Sequence, residues 1–171
     1  VILLEEPENH LSHLNIRKLI AGIEQSQQAQ LFISTHSDLI STRLDLRNCI
    51  LMNSAKPART VSLEFIEEGT AKFFMKAPDN NMLQFVLTKK VILVEGDAEF
   101  ILMGAFCKKV LGHGLSEQGV DVIAVDGKCF KRYLEIARQL GIKVAVVTDN
   151  DRNYAENITA SYRGYMNNEF A

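Results

Sequence analysis

The stretch Val91-Ile92-Leu93-Val94-Glu95-Gly96-Asp97-Ala98-Glu99-Phe100 decides how the chain is read. Four consecutive apolar residues, Val91 to Val94, suit a strand buried on both faces of a parallel sheet. Glu95 follows, then Gly96, whose missing Cβ lets the backbone turn sharply. Asp97 is a good N-cap for a helix expected over Ala98 to Val110. Glu99 comes four residues after Glu95, so one turn returns it to the same rim. In open α/β sheets that rim, at the carboxyl ends of the strands, is where ligands bind. A second apolar run, Val144 to Thr148, ends in Asp149-Asn150-Asp151. Acids spaced by one residue on extended chain point the same way. Glu95, Glu99, Asp149 and Asp151 are therefore expected to converge on one pocket. Clustered carboxylates repel unless some are protonated or a cation lies among them, and oxygen-only ligands favour Mg²⁺ or Mn²⁺. A divalent-metal site is the expectation. The plainer alternative leaves Glu95 and Glu99 as favourable charges at a helix N-terminus, with Asp149 and Asp151 capping a loop.

The rest of the chain reads as α/β. Val1 to Leu4 is another buried-strand run, delivering Glu5-Glu6-Pro7-Glu8-Asn9-His10-Leu11 at its end. Leu14 to Gln25 carries apolar residues at helical spacing, and Leu31 to Ser34 is a further strand, followed by Thr35-His36-Ser37. Between Cys49 and Ala77, short strands are expected at Ile50 to Met52, Val61 to Ile66 and Lys72 to Met75. Turns at Lys56-Pro57 and at Glu67 to Thr70 would separate them. Pro78 to Asn81 opens a short helix over Met82 to Leu87, and a domain boundary is expected near residues 77–80. Beyond Val91, strands at Asp121 to Val125 and Lys143 to Thr148 flank a helix at Phe130 to Leu140. Gly112 and Gly141 are the expected helix caps. Lys128, Lys131 and Arg132 gather near the acidic rim, where they can meet a phosphate backbone or simply be solvated. Residues 157–170 are polar and ambiguous.

Two resemblances add to this reading. VEG followed by DND across a βαβ stretch resembles the Toprim domain shared by topoisomerases, primases and several nucleases. The block EEPENHL after a buried strand resembles the Walker B strand and D-loop of an ABC-type ATPase. In that likeness Glu5 holds the hydration shell of Mg²⁺, Glu6 polarises the attacking water, and His36, thirty residues after Glu6, senses the γ-phosphate of ATP. Glu5 stands where most such ATPases have Asp, a departure usual in the OLD (overcoming lysogenization defect) family. The order, an ABC-type ATPase end followed by Toprim, resembles that family of ATP-dependent endonucleases, including the nuclease subunit of Gabija-type antiphage systems.

The resemblance implies residues 1–77 as the C-terminal part of an ATPase domain and 78–171 as a Toprim nuclease domain cut short at its C-terminus. It also implies DNA as substrate, Mg²⁺ or Mn²⁺ and ATP as cofactors, and a homodimer or higher oligomer formed through the ATPase domain. Antiphage defence or DNA processing is the implied role. No G-x-x-x-x-G-K-[ST] motif occurs in the sequence, so ATP's phosphate loop is expected outside it. The rivals are an ATPase of recombination or chromosome maintenance with a non-cleaving Toprim module, and a topoisomerase- or primase-like protein. Tyr133, Tyr154, Tyr162 and Tyr165 sit in no motif that nominates a nucleophile.

Bulk properties fit a soluble globular chain: 171 residues, 47% hydrophobic, 23% charged. A formal net charge of −2 supplies no global basic field, so any DNA contact must be local. Cys49, Cys107 and Cys129 are far apart and in no metal-binding spacing, as expected of a reducing cytoplasm. No apolar run reaches the roughly 18 residues of a membrane span.

Overall fold

A computed structural model describes residues 1–26, 30–37, 46–52, 60–76, 82–149 and 152–166. The chain is mixed α/β and falls into two compact units, Val1–Leu83 and Gln84–Ala171. The stretch 77–80, where a boundary is expected, lies outside the described residues, as does the Lys56-Pro57 turn.

In the first unit, β1 (Ile2–Glu5) and β2 (Leu31–Ser34) pair in parallel, with Glu5 opposite Ser34. Their crossover is α1 (His13–Ser26), which buries Ile16 and Ile20 against Leu11 and Ile33. This spacing of four residues is the one that stacks side chains on one helical face. β3 (Ile50–Met52) and β4 (Thr60–Ser62) form a short antiparallel pair. β4 is shorter than the strand expected over Val61 to Ile66, because the chain turns at residues 64–66 and buries Leu63 and Ile66 there.

Lys72 to Met75 is not a strand. It belongs to α2 (Glu68–Lys76), whose first turn begins where the amides of Thr70 and Ala71 donate to the Glu67 carbonyl at 2.9 and 3.0 Å. The expected turn at Glu67 to Thr70 is the start of this helix. Thr70, Ala71 and Phe74 share its buried face, and Glu68 pairs with Lys72 one turn on. A three-residue apolar run, Phe73 to Met75, has no period of its own. The i, i+4 relations on either side of it decide for helix.

The division falls within α3 (Met82–Leu87), and the second unit holds a three-stranded parallel sheet of order β6-β5-β7. The strands are β5 (Lys90–Val94), β6 (Asp121–Ala124) and β7 (Lys143–Val147). β5 is central and buries Val91, Leu93 and Val94, as the unbroken apolar run requires. Its neighbours are half-exposed edges. β5 passes through α4 (Asp97–Leu111) to β6, and β6 returns through α5 (Phe130–Leu140) to β7 on the far side of β5. With both crossovers right-handed, as such connections are, the two helices cover opposite faces. The switch in winding direction then opens a crevice at the carboxyl ends of β5 and β7.

α5 buries Phe130, Tyr133, Ile136 and Ala137 and ends on Gly141 at φ +68°. Tyr133 is fully buried, edge-on to Phe85 at 5.0 Å. Burial pushes its phenol well above the usual 10.0, with Asp126 and Cys129 adding to the push. An unfolded tyrosine loses its proton near pH 10 while the folded one keeps it. The unfolded state is therefore favoured progressively above that pH, and stability falls by up to about 1.4 kcal/mol per pH unit. Tyr133→Phe is expected to shrink this alkaline loss, checked by thermal melts of both proteins from roughly pH 9 to pH 11. Superimposable pH profiles would show that the buried phenol is not the titrating group.

No described helix is long and apolar enough to cross a membrane.

Candidate active site

The carboxyl end of β5 is built by two backbone bonds that carry the sheet past the strands. The Val125 amide donates to the Val94 carbonyl at 3.0 Å, and the Gly127 amide to the Glu95 carbonyl at 2.9 Å. Between them the chain turns through Asp126 at φ +49° and Gly127 at φ +100°. Left-handed backbone suits Asp moderately and glycine fully. This turn places Lys128 at the start of the segment that becomes α5.

Glu95 leaves β5 at this rim. Its Oε2 accepts a hydrogen bond from the Thr148 hydroxyl at 2.9 Å, tying the end of β5 to the end of β7. Asp149, the next residue, is exposed and lines a cleft of about 300 Å³ with Thr148, Lys128, Lys131 and Tyr162. The ends of β5 and β7 are thus joined through Glu95 and Thr148, and Asp149 follows directly on the cleft side. Asp151 lies outside the described residues.

Glu99 has a second task. α4 begins one residue earlier than expected, with Gly96 as its N-cap and Asp97 already inside the first turn. The cap is completed by Glu99, whose Oε2 accepts from the Gly96 amide at 3.1 Å. Gly96 has no side chain to offer, so the reciprocal half of a capping box does the work alone. One carboxylate oxygen of Glu99 is thereby engaged at the rim. Among the described residues, no three His, Cys, Asp or Glu side chains form a ready cluster for a metal ion.

In the first unit, the structure brings Glu6, Glu8 and His36 together. Glu6 follows β1 at φ +40°, in left-handed backbone. Its Oε1 lies 3.2 Å from His36 Nδ1, and its Oε2 accepts from the Asn9 amide group at 2.7 Å. Glu8, singled out by no spacing argument, is the hub of this loop. Its Oε1 accepts from the Thr35 hydroxyl at 2.6 Å and from the His36 amide at 3.2 Å. Burial pushes the Glu8 carboxyl up, but hydrogen bonds from Thr35 and the backbone and the nearby His36 ring outweigh it, so its pKa falls. Glu5 ends β1 as an exposed side chain.

Two residues that sequence reasoning gave no role are Thr148 and Tyr162. Thr148 had a signal, being the polar end of an apolar run directly before an acid. Tyr162 had none. Its ring lies 5.7 Å from the Lys131 ammonium and edge-on to Phe130 at 6.4 Å. Burial pushes its phenol above the usual range, and Glu95 and Cys129 add to that against the pull of Lys128. Those influences put Tyr162 in the electrostatic field of the same rim.

Residues 86–151 match the family model described as Overcoming lysogenization defect protein-like, TOPRIM domain. The chain is 29% identical over 163 residues to the Old nuclease of Escherichia phage P2, covering 88% of this chain and 28% of that protein. It is 28% identical over 156 residues to Endonuclease GajA of Bacillus cereus (strain VD045), covering 88% and 26%. A solved structure, the C-terminal region of the Xanthomonas campestris pv. campestris OLD protein, is similar at 32% identity and a TM-score of 0.37. That match covers 49% of this chain and 42% of the other. The chain spans about a quarter of the length of the curated relatives it matches.

Proposed function

We propose that this chain, whose residues 86–151 match the OLD-like Toprim model, is part of an ATP-regulated, divalent-metal-dependent DNA endonuclease. The observation that carries the reading is the Glu95–Thr148 hydrogen bond. It ties the end of β5, which carries Glu95, to the end of β7, directly before Asp149.

Glu95 and Asp149, with Glu99 and Asp151, are the proposed holders of Mg²⁺ or Mn²⁺. Their donor atoms are carboxylate oxygens alone, which suits hard cations. The chemistry such ions supply when bound is activation of water and neutralisation of charge on the leaving oxygen. The chain's own part is positional. Thr148 orients Glu95 through the Oε2 it hydrogen-bonds, and Glu99 anchors the start of α4 beside the rim.

In the first unit, we assign Glu6 the polarisation of water for ATP hydrolysis, Glu5 the Mg²⁺ shell, and His36 the sensing of the γ-phosphate. The 3.2 Å approach of His36 to Glu6 supports this pairing. The same reading has the ATPase part form a homodimer or larger oligomer. It also puts the protein in the cytoplasm, with Cys49, Cys107 and Cys129 in no disulfide. Antiphage defence or DNA processing is the role it fits.

A plasmid-nicking assay on the full chain, with Mg²⁺ or Mn²⁺ and with or without ATP, tests the proposal. Cleavage that requires the metal and responds to ATP is expected. No cleavage under any of these conditions would leave a non-nucleolytic ATPase with a Toprim binding module as the better reading.

A further inference from the structure

The cleft beside Asp149 has walls of opposite charge. Asp149 and Thr148 stand on the β7 side, and Lys128 and Lys131 stand on the side of α5. Lys131 is an exposed residue on the first turn of α5, where a lysine side chain normally samples many rotamers. Here its ammonium is placed over the Tyr162 ring at 5.7 Å. That ring is itself fixed, because Phe130 packs edge-on against it and Phe130 is fully buried. A cation held by a ring face keeps its N–H donors for an incoming anion, which a cation paired with a carboxylate does not.

We propose that this cleft seats a backbone phosphate of the DNA between Lys128 and Lys131, and that Tyr162 is the positioning residue that holds Lys131 there. The inference rests on the DNA-cutting reading and adds to it the side of the site that grips the substrate. A phosphate between the two lysines lies alongside Asp149, so the grip and the acidic rim face one phosphodiester. About 300 Å³ is room for a phosphate and part of its sugar. The Tyr162 phenol, raised above its usual range, stays neutral at ordinary pH.

Binding of a fluorescein-labelled duplex oligonucleotide by the full chain, in Ca²⁺ and over a salt titration, reads the seat directly. Each phosphate neutralised on B-DNA contributes about 0.9 to the slope of log K against log salt. Lys131→Ala is expected to lower that slope by about 0.9. Tyr162→Leu should lower it in the same direction, and Tyr162→Phe, which keeps the ring, should restore the wild-type slope.

An unchanged slope in Lys131→Ala, with wild type still nicking plasmid, overturns the seat and leaves the nuclease reading standing. Tyr162→Leu matching wild type while Lys131→Ala shifts overturns the positioning role. Tyr162→Phe behaving as Tyr162→Leu does so too, since the hydroxyl would then be the agent. Wild type that binds with lysine-dependent slopes but never nicks removes the nuclease reading and keeps the seat. Wild type that neither binds nor nicks removes both.

Discussion

Metal-dependent plasmid cleavage by Glu95→Gln is expected to fall by about a thousandfold while the melting temperature stays near wild type. The substitution separates the two things Glu95 does. As a hydrogen-bond acceptor it ties the end of β5 to Thr148 at 2.9 Å, and a glutamine carbonyl accepts the same bond. As an anion it is a proposed cation holder, and the amide carries no charge. Losing one charged ligand removes several kcal/mol of charge stabilisation; at about 1.4 kcal/mol per tenfold, about 4 kcal/mol is a thousandfold. Thr148→Val makes the opposite cut, keeping the charge and deleting the bond that orients it. Loss of an orienting partner to a metal-holding side chain costs about 10- to 100-fold, so this variant should be intermediate. The pair of variants is assayed by single-turnover nicking in Mg²⁺ and in Mn²⁺, beside thermal melts in each. Glu95→Gln that nicks at the wild-type rate would take Glu95 out of the site.

The contrast between these two variants also marks what the chain disclosed before its fold was known. Runs such as Val91 to Val94 and Lys143 to Thr148 announce strands because nothing else keeps so many β-branched residues together. The helix over Phe130 to Leu140 was legible from its spacing and its glycine cap, both found as read. Lys72 to Met75 misled because its three apolar residues fit either period, and the deciding relation, Glu68 with Lys72, spans its edge. Glu99 was legible as an acid on the rim but not as the cap of α4, since that depends on Gly96 having no side chain to share the task. Tyr162 was out of reach altogether. It lies two residues beyond a π-helical stretch at Ala155–Ala160, in a polar segment with no apolar spacing to follow. Its partners Lys131 and Phe130 come from a helix some thirty residues away.

Glu6→Gln is expected to slow ATP hydrolysis by the full chain about a hundredfold or more, with nucleotide binding kept. A positioned general base contributes about 10²- to 10⁴-fold, and the amide cannot take a proton from water. The local structure should survive, because each bond of Glu6 has a counterpart in glutamine. The glutamine oxygen can accept from the Asn9 side-chain amide at 2.7 Å while its NH2 donates to His36 Nδ1 at 3.2 Å. The loop does not depend on Glu6 alone, since Glu8 independently holds Thr35 and the His36 amide. That division of labour supplies a control with a different signature. Glu8→Ala deletes the acceptor for two donors and leaves the His36 backbone without its partner, at a cost of about 1–3 kcal/mol. It should therefore lower thermal stability and ATP turnover together, where Glu6→Gln lowers turnover alone. The two are compared by steady-state phosphate release, by equilibrium binding of a non-hydrolysable ATP analogue, and by melting. Normal phosphate release from Glu6→Gln would mean that the 3.2 Å contact with His36 is an ordinary polar pair at a strand end and that water is polarised elsewhere.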